Sequence, residues 1–240
     1  MKKIFALVDE RISDKCHSAL EKHGFSPIRL PKMPALPAPI ASHTDILSFK
    51  IGDKVFFSKS YFESFSDHLS PLSPSKILLT DESQGEKYPL DAIFNGLVIE
   101  NKLFCKTDTF SKEILKYTDS LDIKTVHVNQ GYPACTTLKI SENAAITADR
   151  GMAKALKKEK ISVLVIESGG ISLFPYEYGF IGGAASLFED KIYFLGDISK
   201  HPESKKILNF IEENGKTAVS LSDEPLADLG GIIFLKENEK

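Results

Sequence analysis

The sequence predicts an α+β fold of five strand–strand–helix–strand units that are closed into a ring. Two observations predict it: hairpin-like segments recur along the chain, and the two chain ends together supply the parts of one more unit. Such repeats are typical of architectures in which each unit packs against its neighbours. With 240 residues, 42% of them apolar and 26% charged, the chain can form a sizeable core, and we expect one domain over residues 1–240.

Four hairpins are predicted by alternating apolar segments that are joined by two polar residues. They cover residues 50–58, 98–105, 138–147 and 187–195, and the first reads KIGDKVFFS. Short polar pairs between β-rich segments indicate tight turns, and the first pair, Gly52-Asp53, contains the favoured glycine. The second strands begin at residues 54, 102, 144 and 191, at spacings of 48, 42 and 47 residues. This regularity indicates a repeat.

A helix and a third strand follow each hairpin. The helices are predicted at 61–69, 110–117, 151–158 and 203–213, and the third strands at 76–79, 124–128, 162–166 and 217–221. In the last helix Ile207, Leu208 and Ile211 form an apolar stripe, and Asn214-Gly215 ends it.

The fifth unit is divided between the two chain ends. Residues 229–235 supply its first strand, and residues 4–8, 13–22 and 26–30 supply its second strand, helix and third strand. Pairing the two ends would remove the exposed sheet edges of an open array, and it therefore predicts a closed ring.

Composition and charge exclude several classes of function. The net charge of −3 argues against a nucleic-acid partner, and no apolar run approaches the ~20 residues of a membrane span. The first apolar run ends at Val8, which is too short for a signal peptide, so we expect a cytoplasmic protein. Three cysteines cannot form a disulfide framework, and scattered histidines without a Cys-x-x-Cys pair predict neither a metal nor another cofactor.

Two short segments carry a resemblance to a known family. The sequence HTDI at 43–46 looks like the histidine-bearing first strand of a catalytic blade, and CTTL at 135–138 resembles a strand that carries a nucleophile. Together with the five units, they resemble a bacterial branch of the pentein superfamily, the five-bladed β/α-propellers of dimethylargininase, arginine and agmatine deiminases and amidinotransferases. The resemblance implies a cysteine-dependent hydrolase or amidinotransferase that acts on a guanidino or amidino small molecule through a thiouronium-type intermediate.

The resemblance also implies roles for three residues. In the family, the nucleophile's blade lies two after the histidine's, and the carboxylate that orients the histidine often comes from the blade before. Here His43 lies in the first complete unit, Cys135 in the third and Asp228 in the split unit, so they would be the acid–base, the nucleophile and the orienting carboxylate. The family's cysteine usually lies in the last blade, where this chain has ADLGG, so the resemblance requires a circular shift of the blades.

Attack on a guanidinium carbon requires a thiolate, of which a free cysteine supplies only a few per cent at neutral pH. A cationic guanidinium also needs acidic partners. Asp45 is a candidate because, two residues after His43, it would share the same strand face. Further substrate-binding candidates, near element ends or in the long glycine-rich segment 167–183, are Asp149, Arg150, Glu167 and Tyr178.

Alternative interpretations remain open. Cys135 could be a small buried hydrophobe, Asp45 and Asp228 could satisfy backbone amides, and Asp149 could be a helix N-cap. The segment 167–183 could be a lid, with Gly169-Gly170 and Gly182-Gly183 as hinges, or a packed structural loop. The protein could then be a non-catalytic binding or ligand-sensing module, since fold alone does not fix function. A homodimer is also left open.

Overall fold

Five separate three-stranded sheets form the fold of the computed structural model, which describes residues 3–237. In each sheet the middle strand pairs antiparallel with a first strand and parallel with a third strand. The first strands are β3 (Ser48–Ile51), β6 (Leu97–Ile99), β9 (Thr137–Ser141), β12 (Ala185–Phe188) and β15 (Ile233–Lys236). The middle strands are β4 (Lys54–Ser58), β7 (Lys102–Cys105), β10 (Ala144–Thr147), β13 (Lys191–Phe194) and β1 (Ile4–Asp9). The third strands are β5 (Ile77–Thr80), β8 (Lys124–His127), β11 (Ser162–Val165), β14 (Thr217–Ser220) and β2 (Phe25–Leu30).

The fifth sheet joins the two ends of the chain. Ile4 of β1 pairs with Lys236 of β15, and β2 pairs with the other edge of β1. The divided unit predicted from the sequence is therefore confirmed, and the structure is a mixed α/β fold with five small sheets. Residues 1–2 and 238–240 of the predicted domain lie outside the described residues.

The first strand of this fifth unit is shorter than predicted. The expected strand covers residues 229–235, whereas β15 begins at residue 233. Gly230 and Gly231 both have φ of +71°, a left-handed conformation that strand residues do not adopt.

The described part of the chain contains eight α-helices between its strands. They are α1 (Asp14–Lys22), α2 (Thr44–Leu47), α3 (Lys59–Ser64), α4 (Ser66–Leu69), α5 (Lys112–Asp119), α6 (Pro133–Thr136), α7 (Arg150–Lys158) and α8 (Ser204–Glu213). Polar N-cap side chains begin four of them, because Ser13, Ser58, Ser111 and Asp149 each accept a hydrogen bond from the N–H three residues later.

Two helical features differ from the prediction. The helix expected at 61–69 is interrupted at Phe65, whose φ of −127° leaves the helical region, so α3 and α4 replace it. In addition, HTDI, where a strand was predicted, forms the N-cap and first three residues of the one-turn helix α2. In CTTL only the last two residues belong to the predicted strand, because the first two end α6. The strands β3 and β9 begin only after these turns.

Five apolar clusters form the core, and each one combines residues of two units that follow one another. The units are numbered one to five by their first strands, β3, β6, β9, β12 and β15. The clusters then join units one and two, two and three, three and four, four and five, and five and one. Residues that share a cluster in this order are Phe49 and Leu103, Leu97 and Met152, Ile140 and Ile207, Tyr193 and Phe234, and Phe5 and Val55.

Within residues 3–237, none of the helices has both the length and the apolar character that crossing a membrane would require.

Candidate active site

A group of buried polar side chains lies close to the points where several first strands begin. One nitrogen, oxygen or sulfur atom from each of His43, Asp45 and Cys135 lies within 4.8 Å of the others. His43 Nδ1 also lies 3.9 Å from Asp228 Oδ1. The structure therefore brings together four predicted site residues. They are the three residues that the resemblance implies, Cys135, His43 and Asp228, and the acidic candidate Asp45. The group, called the central cluster below, consists of Asp9, His43, Asp45, Asn95, Cys135 and Asp228.

The one-turn helices α2 and α6 place three members of the central cluster. Pro133 occupies the first position of α6, where its fixed φ suits a helix, and Thr136 Oγ1 donates a hydrogen bond back to the Tyr132 carbonyl at 3.0 Å. Helix α2 is held against the segment before β15, because Thr44 Oγ1 donates to the Gly231 carbonyl at 3.0 Å.

The expectation that His43 and Asp45 share a strand face is wrong. Asp45 lies in α2 and His43 is its N-cap, and side chains two positions apart on a helix point in different directions. Asp45 therefore contacts Cys135, whereas His43 lies between Asp9 and Asp228.

The thiol of Cys135 is held by two polar side chains. Its Sγ donates a hydrogen bond to Asp45 Oδ2 at 2.7 Å and accepts one from Asn95 Nδ2 at 3.2 Å. Cys135 is 4% exposed, yet its partners are polar, so it is not a cysteine sealed in apolar packing.

Burial and the neighbouring carboxylates keep this thiol protonated. Burial raises the pKa of Cys135 well above its usual value, and the negative charges of Asp45 and Asp228 raise it further. Burial also raises the pKa of Asp45 to about 6, although the hydrogen bond from Cys135 and the nearby amide of Asn95 oppose the rise. In the free protein the Cys135–Asp45 pair is therefore a thiol donating to a carboxylate at neutral pH.

His43 is a neutral imidazole without a close hydrogen-bond partner. Its Nε2 lies 3.9 Å from Asp9 Oδ2 and its Nδ1 lies 3.9 Å from Asp228 Oδ1, and neither nitrogen is hydrogen-bonded to any residue from 3 to 237. Burial lowers the pKa of His43, and this effect outweighs the attraction of the two carboxylates, which raise it. The ring is therefore able to accept a proton.

Asp228 is fixed by backbone groups from two segments. Its Oδ2 accepts from the Phe180 N–H at 2.8 Å, and its Oδ1 accepts from the Gly230 N–H at 3.2 Å. A Cβ added to Gly183 would lie 1.9 Å from Asp228 Oδ1, so only glycine permits this approach. Gly183, which the lid interpretation of segment 167–183 assigns to a hinge, packs tightly against Asp228, and its N–H donates a hydrogen bond to the Cys135 carbonyl at 3.0 Å.

The central cluster carries more negative than positive charge. Asp9 is paired with Arg11, whose Nη2 lies 2.6 Å from Oδ2, and accepts from Ser42 Oγ at 2.7 Å. Asp45 and Asp228 have no lysine or arginine partner among residues 3–237. Asp45 Oδ1 is buried without a hydrogen bond. Since buried carboxylates are costly without partners, the central cluster favours a cationic guest.

Asp45 connects the central cluster to a large cavity. This cavity has a volume of about 640 Å³ and is lined by residues of all five first strands or the segments just before them. Its volume lies in the range of small-molecule sites. Asp45 lines the cavity beside Gly182 and Gly230, whereas Cys135 and His43 do not.

The structure does not bring the other predicted substrate-binding residues into the central cluster. Asp149 is the N-cap of α7, as the alternative interpretation held, and borders a separate cavity of about 460 Å³. Arg150 and Glu167 are exposed. Tyr178 is half-buried and packs edge-on against Phe180, whose N–H binds Asp228. Their roles in substrate binding stay predictions.

Sequence reasoning missed two members of the central cluster and Arg11. Asp9 ends the apolar strand IFALVD, and a carboxylate that directly follows a buried strand is a signal that could have found it. Asn95 lies between Phe94 and Gly96 in a segment without repeat features, and no sequence pattern singles it out.

A hydrogen-bonded pair fits the central cluster better than a metal ion does. His43, Asp45 and Cys135 are residue types that bind zinc, whose ligands at 2.0–2.3 Å in a tetrahedron stand roughly 3.5 Å apart. Cys135 Sγ and Asp45 Oδ2 are closer, at 2.7 Å, than two ligands of one zinc ion would stand.

Comparison with known proteins identifies the fold. The structure is similar to dimethylarginine dimethylaminohydrolase from Pseudomonas aeruginosa in complex with citrulline, with a TM-score of 0.57, 9% identity, and coverage of 99% of this chain and 100% of that one. Agmatine deiminase of C. jejuni matches with a TM-score of 0.58 and 8% identity, and the match covers 100% of this chain and 94% of that one. Inosamine-phosphate amidinotransferase from Streptomyces griseus gives 0.55 and 12% identity, with coverage of 90% and 75%.

These identities establish a shared fold and nothing about activity. No curated protein matches the sequence. A family model described as "Family of unknown function (DUF6873)" matches residues 7–233. The chain therefore has the fold of the pentein superfamily and belongs to the family of unknown function DUF6873.

Proposed function

We propose that this protein is a cysteine-dependent enzyme that hydrolyses or transfers the amidino group of a guanidino or amidino small molecule. The observation that carries the proposal is a thiol, Cys135, buried beside two carboxylates, Asp45 and Asp228, that lack a cationic partner. A planar guanidinium would supply the missing charge. The structural relatives whose names include dimethylaminohydrolase, agmatine deiminase and amidinotransferase support this substrate class.

The substrate itself would activate the nucleophile. A guanidinium bound at Asp45 forms charge-assisted hydrogen bonds with the carboxylate, which Asp45 Oδ1 is free to accept. The same positive charge lowers the pKa of Cys135, since it favours the thiolate over the thiol. The thiol proton then moves to the neutral imidazole of His43, a transfer that requires the sulfur and ring to approach from their present separation.

The bonds made and broken balance in two steps. Cys135 Sγ forms a C–S bond to the guanidinium carbon, one C–N bond breaks, and the leaving amine takes the proton from His43. Water then adds to the resulting thiouronium and gives a proton to His43. The C–S bond then breaks, its electron pair returns to Sγ, and the remaining hydroxyl proton of the adduct passes to the released amine, which leaves a neutral ureido product. The proton held by His43 returns to the sulfur and restores the resting thiol. In a transferase, an acceptor amine would replace the water. Asp228 would orient His43 and stabilise its protonated form.

We also propose that the five units close into a five-bladed β/α-propeller around the 640 Å³ cavity. Two observations support this closure. The five apolar clusters link the units consecutively and link the fifth unit to the first. All five units also contribute residues to the wall of this one cavity.

A non-catalytic ligand-binding protein is the second candidate. The observation that favours it is the low exposure of both reactive groups, 4% for Cys135 and 1% for His43, together with a protonated thiol. Such a protein would bind the cation at Asp45 without forming a covalent bond.

The proposal is tested first with a matched pair of alkylating agents. Chloroacetamidine and chloroacetamide are both small and planar, but only the first is cationic. We expect the cationic reagent to alkylate Cys135 at least about tenfold faster, equivalent to the ~1.4 kcal/mol of one charge-assisted contact, and Asp45→Asn to remove this preference. Intact mass measures the rate, and Cys135→Ser gives the background from Cys16 and Cys105. Equal rates in the wild type would refute the proposed function.

A turnover assay then separates the two candidates. The protein is incubated with arginine, agmatine and a methylated arginine, and the released amine and ureido product are measured against Cys135→Ser. Product that requires Cys135 supports the enzyme. Saturable binding without product or a covalent adduct supports the ligand-binding protein.

A further inference from the structure

Asn95 is a buried member of the central cluster to which no role has been given above. It lies two residues before β6, in unit two, and is 1% exposed. Unit two supplies no other residue to the central cluster. A buried amide of this kind must satisfy both its donors and its acceptor.

The hydrogen bonds of Asn95 fix which end of its amide faces the sulfur. Its Oδ1 accepts from the Ala134 N–H at 2.8 Å, and only the oxygen can do so. The Nδ2 group therefore points at Cys135 Sγ, 3.2 Å away, and it also donates to the Asp45 carbonyl at 3.2 Å. One side chain thus connects α2 and α6 and aims an N–H at the sulfur.

The two partners of the sulfur act in opposite directions. Asp45 accepts a hydrogen bond from the thiol, and its negative charge disfavours a thiolate. The Asn95 N–H is a fixed donor that interacts more strongly with a thiolate than with a thiol, because hydrogen bonds to charged acceptors are stronger. It also requires no reorganisation when charge develops on the sulfur.

We propose that Asn95 is a further catalytic residue, which stabilises the sulfur of Cys135 as a thiolate before attack and again when the C–S bond breaks. This role rests on the proposed function, since it concerns the same nucleophile. At bond cleavage the electron pair of the C–S bond returns to Sγ, and the Nδ2–H is already placed to receive that charge. Asn95 would thus assist both steps.

The variant Asn95→Asp isolates this role. An aspartate has the same shape and can still accept from the Ala134 N–H, so the backbone anchor is kept. It replaces the donor that faces Sγ with an acceptor oxygen. Asn143→Asp is the matched control, because Asn143 lies in the exposed turn before β10 and the change in charge is the same. Asn95→Ala removes the donor without adding charge and serves if the aspartate variant does not fold.

The experiment follows the thiolate by its ultraviolet absorbance between about pH 6 and 11, as the difference from Cys135→Ser, with the melting temperature as a check on folding. We expect Asn95→Asp and Asn95→Ala to raise the midpoint by about one pH unit or more, and Asn143→Asp to leave it unchanged. Alkylation by chloroacetamidine near pH 8 should fall at least about tenfold in step with this shift.

The outcomes separate this inference from the proposed function. If both Asn95 variants keep the wild-type midpoint of the Cys135 thiolate titration and differ only in a lower melting temperature, the proposed role of Asn95 is refuted. Asn95 would then be a structural residue. The preference of wild-type Cys135 for the cationic reagent would still stand in that case. If wild-type Cys135 shows no preference for the cationic reagent, the proposed function is refuted, whatever the Asn95 variants do.

Discussion

Replacing Gly183 with alanine should displace the carboxylate of Asp228, which lies 3.9 Å from His43. A Cβ at this position would lie 1.9 Å from Asp228 Oδ1 and 2.6 Å from its Cγ. Ordinary contact begins at 3.4 Å, so the carboxylate must move by about 1.5 Å. Gly183 has no positive φ that an alanine would strain, and the clash is therefore the whole effect.

The cost follows from the bonds that Asp228 would lose. Its carboxylate accepts hydrogen bonds at 2.8 Å and 3.2 Å, each worth roughly 1.5–3 kcal/mol, and partial relaxation leaves a loss of about 2–4 kcal/mol. For a chain of this size the melting temperature should fall by roughly 5–15 °C.

Thermal unfolding by circular dichroism measures this effect, with Gly151→Ala as the control. Gly151 lies in α7, and an added Cβ there would meet Asp149 Oδ1 at 3.1 Å, so a small gain from helix propensity should offset a mild contact. Melting of Gly183→Ala within about 2 °C of the wild type would refute the close packing of Gly183 against Asp228.

Two further predictions concern the ionisation of the central cluster. Because the folded pKa of Asp45 is about 6, above its ordinary 3.8, ionised Asp45 destabilises the fold above pH 6 and this penalty disappears as the pH falls toward 4. Asp45→Asn should therefore have a free energy of unfolding, measured with denaturant, that is higher than that of the wild type at pH 7 by at most about 3 kcal/mol. The difference should vanish near pH 4, and a difference that stays constant with pH would contradict this explanation. Because His43 is neutral and has no hydrogen bond to Cys135, His43→Ala should abolish turnover but leave the pH midpoint of the Cys135 thiolate titration unchanged. A midpoint raised by one pH unit in this variant would indicate that the ring is charged.

The repeat could be predicted from sequence because hairpin turns and alternating strands are local signals. The pairing of β1 with β15 was also predictable, since the terminal segments are the pieces that a fifth unit lacks. The boundaries of the elements near the central cluster could not be predicted. Gly230 lies so close to Asp45 and Thr44 that a Cβ would not fit, and it adopts a left-handed φ where apolar residues suggested a strand.

The members of the central cluster divide in the same way. The offset between units could place Cys135, His43 and Asp228 together because it depends on topology. The partnership of Cys135 with Asn95 could not be predicted, because it depends on the direction of one amide in a segment without periodic pattern. Asp149 was ambiguous because one carboxylate before a helix serves as an N-cap whether or not a ligand is near.

The thiol–carboxylate pair of Cys135 and Asp45 has a consequence for the durability of the protein. Peroxide oxidises the thiolate of a cysteine and hardly reacts with the thiol, and an oxidised sulfur beyond the sulfenic acid is not readily recovered. If Cys135 ionises only when a cation occupies the site, as the proposed function requires, it would be shielded from oxidants between encounters with its ligand. The carboxylate that makes Cys135 slow to react in the free protein would thus lengthen its working life.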